Sequence, residues 1–385
     1  MNLGDNLVVN TRFVVTILFC VSLAGCDTPR VTPFSGQVKG VSMTPGLRDG
    51  EAISWLPAQV DDYQRYVPVV CKHEDDLVTK RIIGLAGESI RIADGELVKD
   101  GEILRKTPRL LQQFGLIVDR KTDSWRDATQ SWRQLNNTWV CEHVSPKHTA
   151  WLTFHPELSP GVVPAIDGVR IYDDVSWLSK ETRRLNIVQD VGISVVLDID
   201  LDEECGLEIV VGKNQHMARL VVRKQGRLAV IAGRLDGQFV VTAWPIPQSH
   251  QEFLEGHSAV SVSLAYEVPK EWSVESEVAH EDHQPRDVAS LGLGIKLLTE
   301  REEVSAKEIC TVTAEKLLVW RDTQWLATPN KSEWSVPVGH VFVLGDCPAA
   351  SRDSRHWGPL PIDAIQGTVL QPSPGELFPF RLHQD

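Results

Sequence analysis

The sequence predicts a mainly β protein in which a β-ribbon unit is interrupted by a long β-rich insertion. Three observations predict it. Short runs that alternate apolar and polar residues, or are β-branched, recur about every ten residues through the middle of the chain. Asp94-Gly95 and Asp100-Gly101 stand between such runs, and Asp-Gly is a strong signal for a tight hairpin. No segment carries a long apolar stripe of helical period.

The elements follow in chain order. Arg12 precedes the apolar run Phe13 to Ser22, and Leu23-Ala24-Gly25-Cys26 follows. The run is about a dozen residues, which suits a secretory apolar core better than a membrane span of about twenty. Arg81-Ile82-Ile83, Glu88 to Ile92, Asp94 to Val98 and Asp100 to Leu104 form the ribbon. The segment 112–133 is read as holding a short helix. Strands are expected over Val191–Ile199, Leu207–Val211, Arg219–Val222, Leu228–Ala232, Phe239–Ala243, Val260–Tyr266 and Leu293–Leu298. Their rhythm fits a β-sandwich that is jelly-roll-like in strand spacing. The polar stretch Ser273 to Arg286 reads as a loop.

The expected organisation is an export segment or anchor over 1–26 and a first part of the catalytic unit over 31–104. The inserted domain covers 105–334, the second part of the unit covers 335–372, and a tail covers 373–385. An insertion is tolerated where it leaves and rejoins a surface hairpin.

Composition narrows the function classes. The chain has 385 residues and a formal net charge of −13, which excludes the basic face of a nucleic-acid binder. Its seven Cys show no CxxC pair and no His at zinc spacing, so no metal site and no other cofactor is expected. The run His280-Glu281-Asp282-His283 has no second ligand cluster and reads as a solvated loop.

Three short segments carry chemistry. Ser42 lies in the turn Val41-Ser42-Met43-Thr44-Pro45-Gly46-Leu47, where its hydroxyl can be exposed beside backbone N–H groups. Lys80 opens the apolar run of Lys80-Arg81-Ile82-Ile83-Gly84. Strand alternation sends Lys80 and Arg81 to opposite faces, so one can enter a buried site while the other pairs with carboxylates. The third segment is Gly345-Asp346-Cys347-Pro348-Ala349-Ala350-Ser351-Arg352-Asp353-Ser354-Arg355, followed by Trp357-Gly358. A Ser hydroxyl needs a base, and a Lys is a base only where its surroundings hold it neutral.

Together these segments resemble the bacterial type I signal peptidases, which are Ser-Lys proteases. The resemblance implies a signal-peptidase-like β-ribbon/barrel catalytic unit with Ser42 as nucleophile and Lys80 as general base. It also implies that Ser351 hydrogen-bonds the catalytic amine. Asp353 and Arg355 would form a structural ion pair, with Arg81 a further partner. The chain departs from the family pattern at Cys347, which replaces the usual Asn, at Gly46, and at Ala86, Glu51 and Glu88. Gly40 stands where some members carry a hydroxyl residue, so oxyanion help must come from the backbone, chiefly the N–H of Ser42.

Leu-Ala-Gly-Cys resembles a bacterial lipobox, which implies cleavage before Cys26 and lipidation of its thiol; the other reading is an uncleaved anchor. Both place the protein on the exported face of the cytoplasmic membrane. Ser42 follows Cys26 by sixteen positions, a reach of at most about 60 Å from the lipid. The function expected is a membrane-associated serine endopeptidase whose partners are preprotein signal peptides and the membrane surface. The alternative is a surface lipoprotein that binds polysaccharide or protein through the insertion, with a relic peptidase unit. The sequence does not name the partner of the insertion.

Overall fold

The computed structural model describes residues 32–57, 63–106, 110–111, 115–119, 122–155, 171–175, 184–202, 205–213, 216–222, 225–236, 238–246, 272–278, 291–299 and 310–370. They divide into two compact units. The first lies within residues 1–115, 173–186 and 323–375, the second within 116–172, 187–322 and 376–385.

The first unit begins with β1 (Phe34–Gln37), β2 (Ala52–Pro57), β3 (Pro68–His73), β4 (Asp76–Gly84), β5 (Ser89–Ala93), β6 (Glu96–Lys99) and β7 (Glu102–Ile103). Asp94 and Gly95 have φ of 51° and 88°, and Asp100 and Gly101 have 50° and 94°. Two successive positive φ values make the turn whose twist matches a hairpin, which is why Asp-Gly stands at both.

The second unit contains β8 (Leu116–Asp119), β9 (Trp125–Asp127), β10 (Arg133–Leu135), β11 (Thr138–Cys141), β12 (Ala150–Phe154), β13 (Val191–Asp200) and β14 (Gly206–Lys213). It continues with β15 (His216–Val222), β16 (Gly226–Leu235), β17 (Gln238–Ile246), β18 (Trp272–Val278), β19 (Gly292–Leu298) and β20 (Thr311–Arg321). One antiparallel sheet runs β10-β11-β20-β13-β16-β17, with β8 also on β20, and a second runs β18-β15-β14-β19-β12-β9. Leu197 and Val319 of the first sheet and Ile209, Leu293 and Phe154 of the second share one buried cluster. Two sheets closed over a common apolar layer is how each hides its hydrophobic face.

The first unit resumes with β21 (Glu333–Ser335), β22 (His340–Leu344), the single helical turn α1 (Ser354–Trp357), β23 (Leu360–Pro361) and β24 (Ile365–Leu370). Its main sheet runs β1-β2-β24-β3-β4-β22-β23, and the ribbon sheet runs β21-β5-β6-β7. β4 is buried on both faces: Val78 and Ile82 enter one apolar cluster and Ile83 another. A charged side chain on this strand must therefore find its partners inside the protein.

The mainly β class holds, and most strands read from alternation recur, β13 and β19 among them. Two expectations are corrected. No sheet of the described residues closes into a barrel, since β1 and β23 end the main sheet unpaired with each other. The stretch 273–286, read as a loop, is strand β18 over its described part, where it pairs with β15. The short helix expected in 112–133 is, over the described part, a 3-10 helix at Thr122–Ser124, set among β8, β9 and the start of β10. Trp125 and Trp132 bury individually into the sandwich core instead of lining a helical stripe. Residues 1–26, 260–266, 280–283 and 373–385 lie outside the described residues.

Candidate active site

The chemistry-bearing residues of the first unit meet around the start of Gly345–Arg355. The turn carrying Ser42 is pinned at both ends. Gly40, at φ 84°, donates its N–H to Asp49 Oδ1 at 2.7 Å, and Leu47 N–H donates to Met43 O at 2.8 Å. Met43 and Leu47 are fully buried and anchor the turn in a cluster with Val38, Trp55 and Val70. Ser42 itself is 1 % exposed. Its carbonyl accepts the N–H of Cys347 at 3.0 Å, which ties the Ser42 turn to the third segment.

Lys80 lies opposite Val69 in the β3–β4 ladder. Its amine is 3.2 Å from Ser42 Oγ and donates to Thr79 O at 2.8 Å. The side chain is 2 % exposed. Burial lowers its proton affinity below the usual lysine range, against the pull of Asp353, Cys71 and Asp346, while Arg355 adds to the lowering. A buried amine held toward neutrality beside a hydroxyl is the arrangement that lets lysine accept a serine proton.

Arg81, the next residue, points to the other face. Its guanidinium grips Asp346 with Nε on Oδ1 at 2.7 Å and Nη2 on Oδ2 at 2.5 Å, and Nη1 donates to Tyr66 O at 2.6 Å. Both side chains of the pair are fully buried. The carboxylate partner of Arg81 is thus Asp346, a residue that sequence reasoning quoted without giving it a role. The signal for it is topological, because β22 pairs with β4 and delivers Asp346 just past its end.

Asp353 organises the loop after β22. It caps α1, and its Oδ1 accepts Arg355 N at 3.2 Å and Arg355 Nε at 2.7 Å. Its Oδ2 accepts Gly345 N at 3.0 Å and Arg355 Nη2 at 2.9 Å. Burial alone would raise this carboxyl, but the Arg355 charge and the Gly345 N–H together hold it below the ordinary carboxylate value. Arg355 spends its remaining donors on carbonyls of Leu326, Pro348 and Ser351 at 2.8, 2.9 and 3.0 Å. The Asp353–Arg355 pair therefore ties four stretches of backbone into one loop.

Ser351 is 5 % exposed, and its hydroxyl is among the groups that favour the Asp353 carboxylate. It stands beside Gly345: a Cβ on Gly345 would lie 2.3 Å from Ser351 Oγ and 2.4 Å from Ser42 O. Only glycine lets the third segment come this close to the Ser42 turn. Gly345→Ala is accordingly expected to lower the free energy of unfolding by about 1–3 kcal/mol, the range for overpacking, read as a lower urea midpoint at unchanged slope. Cys347 and Cys71 are buried and joined in no disulfide among the described residues. Cys26 lies outside the described residues.

In the second unit Asp190, Asp236 and Asp322 are buried with carboxylate oxygens within 4.8 Å of one another. Arg234 Nε lies 3.3 Å from Asp190 and supplies a countercharge.

A buried Ser–Lys pair beside two arginine–carboxylate pairs is an arrangement in which a lysine could serve as the base of a serine hydrolase. The chain matches the model of the signal peptidase family, peptidase S26, over residues 10–150 and 296–373. It belongs to that family of serine-type peptidases. It is 56 % identical over 46 residues to the mitochondrial ATP-independent inner membrane protease subunit 1b of Arabidopsis thaliana, covering 11 % of this chain and 27 % of that protein. It is 40 % identical over 43 residues to the mitochondrial inner membrane protease subunit 1 of Schizosaccharomyces pombe, covering the same shares. The chain thus spans about a quarter of the length of these curated relatives. Among solved structures it is similar to a Bacteroides ovatus xyloglucan PUL GH43B at TM-score 0.24 and 11 % identity, over 72 % of this chain and 52 % of that one. So low a score carries no argument. Among the described residues no helix is long and apolar enough to cross a membrane.

Proposed function

We propose that the protein is a membrane-associated serine endopeptidase that cleaves signal peptides from exported preproteins, with Ser42 as nucleophile and Lys80 as general base. The observation that carries the reading is the 3.2 Å separation of Lys80 Nζ and Ser42 Oγ inside a buried site, within the reach expected of a base before substrate tightens the geometry. In the proposed cycle the neutral Lys80 amine takes the Ser42 proton as Oγ bonds to the scissile carbonyl carbon. The resulting ammonium returns that proton to the departing amine as the C–N bond breaks. Water, deprotonated in turn by Lys80, then releases the acyl group and restores Ser42.

Arg81–Asp346 and Asp353–Arg355 have no free donor geometry to offer a substrate. Their role in this reading is to hold β4 and the Gly345–Arg355 loop so that the amine meets the hydroxyl. Ser351 Oγ, buried beside Ser42, is placed to engage the amine when it is charged. Substrate would enter as an extended strand beside the sheet. The stretch outside the family match, 151–295, would belong to an inserted, jelly-roll-like domain over 105–334, whose partner the reading leaves open. Lipidation at Cys26 would hold the exported chain at the membrane.

The test is incubation of the purified full chain with a preprotein whose signal peptide ends in small-x-small residues. Wild type is expected to release the mature protein and Ser42→Ala to fall to background. If both are equally inactive while a known signal peptidase processes the same preprotein, the reading fails and a binding role for the second unit gains.

A further inference from the structure

The contact that the catalytic reading leaves unused is a ring stack at the tip of the hairpin carrying Lys80. His73 ends β3 and faces Asp76 across the β3–β4 turn. Its imidazole centroid lies 3.6 Å from the Trp357 indole, with 44° between the planes. Trp357 closes α1, the turn capped by Asp353 and containing Arg355. Its Nε1 donates to Ser354 Oγ at 3.2 Å, and that same oxygen accepts the N–H of Val343 at 3.0 Å. The indole also packs against the cluster of Val69, Ile82 and Val341. A chain of direct contacts therefore runs from the hairpin tip, through Trp357 and Ser354, to the strand that leads into Gly345.

We propose that His73, through its stack on Trp357, is a positioning residue that holds the Lys80 hairpin in register with the Gly345–Arg355 loop. Lys80 and Ser42 come from different segments, joined by this loop and by the packing of Val70 on the Ser42 turn, so a sub-ångström drift of the hairpin separates amine from hydroxyl. A misplacement of about 1 Å is enough to cost on the order of 100-fold in rate at a reacting pair. The ring also makes the contact responsive to pH. The charged groups that face His73 are Glu74 beside it, Arg352 from the brace loop and Lys80 on β4. Burial lowers its proton affinity, Glu74 opposes that, and Arg352 and Lys80 reinforce it. The neutral ring therefore stacks above the ordinary histidine range. Below it, a protonated ring brings a charge between the Arg352 cation and the Glu74 and Asp76 carboxylates, and the contact with Trp357 changes.

The kinetic arm rests on the Ser42–Lys80 reading; the optical arm does not. In preprotein cleavage, His73→Ala is expected to lower kcat about tenfold with KM unchanged within about twofold. His73→Phe, which keeps a ring but cannot titrate, is expected to restore kcat to within about twofold and to remove an ionisation below pH ~6.5 from the kcat profile. Equal kcat and equal profiles for wild type and His73→Ala, or no rescue by Phe, would overturn the proposal while leaving the peptidase reading intact. The second arm is the emission of wild type minus that of Trp357→Phe, followed against pH. It is expected to change below pH ~6.5 in the wild-type background and to stay flat in the His73→Phe background. A flat trace in both overturns the stack whether or not the chain cleaves preproteins.

Discussion

Lys80→Met is expected to abolish preprotein cleavage, by about 10⁴-fold or more, while leaving the protein at least as stable as wild type at neutral pH. The rate loss follows from the chemistry. Methionine fills the same volume but cannot accept the Ser42 proton, and removing one member of a unit that acts together removes nearly all of its effect. The stability half follows from burial. Lys80 is 2 % exposed and its proton affinity is lowered chiefly by desolvation, so the site holds a group that favours water. An apolar side chain there loses only the bonds to Thr79 O and Ser42 Oγ. The pH dependence has a definite sign. A lysine whose folded value lies below its unfolded 10.5 binds fewer protons in the native state, so wild-type stability rises with pH between the lowered value and 10.5. Urea midpoints measured across that window should rise for wild type and flatten for Lys80→Met. An unfolded Lys80→Met protein would mean that the amine is structural.

Asp346→Ala is expected to cost about 3–5 kcal/mol of unfolding free energy, because it leaves the Arg81 guanidinium buried without its carboxylate. Both partners are fully buried and meet through two parallel hydrogen bonds of 2.7 and 2.5 Å. The double replacement Arg81→Met with Asp346→Leu is expected to recover most of that loss, since a buried ion pair replaced by packed apolar groups is often neutral or better. Chemical denaturation followed by tryptophan emission measures both. If the single change costs less than about 1 kcal/mol, the pair is solvated and does not brace β4. If the double variant stays as unstable as the single one, packing there depends on the charges themselves.

The sequence reading located Ser42, Lys80, Ser351, Asp353 and Arg355 because each lies in a short segment whose residue types serve one chemistry. The structure brings these five positions into one unit. What it adds is what local pattern cannot contain. The partner of Arg81 is 265 residues away and is reached only through the pairing of β22 with β4. The stack of His73 on Trp357 joins a hairpin tip to a helical turn, and a histidine beside Glu74, Asp75 and Asp76 reads as a solvated turn. Strand alternation was legible where a strand packs on one core, as in β13 and β19. It was silent on the strands within 112–133, which at three and four residues are too short to display a period of two against one of 3.6. The expectation of a barrel failed for a related reason: closure depends on which edges meet, and no residue pattern records that β1 and β23 do not.

The central claim is that a neutral Lys80 activates Ser42, and the rate of Ser42 acylation against pH tests it most directly. The full chain would be treated with a β-lactam-type acylating inhibitor and the adduct followed by intact mass, with its position found by peptide mapping. The account predicts an adduct on Ser42 whose rate rises with pH through one ionisation below 10.5 and disappears in Lys80→Met. An adduct that forms on Ser42 equally fast in Lys80→Met, or one that forms elsewhere and spares Ser42, would contradict it.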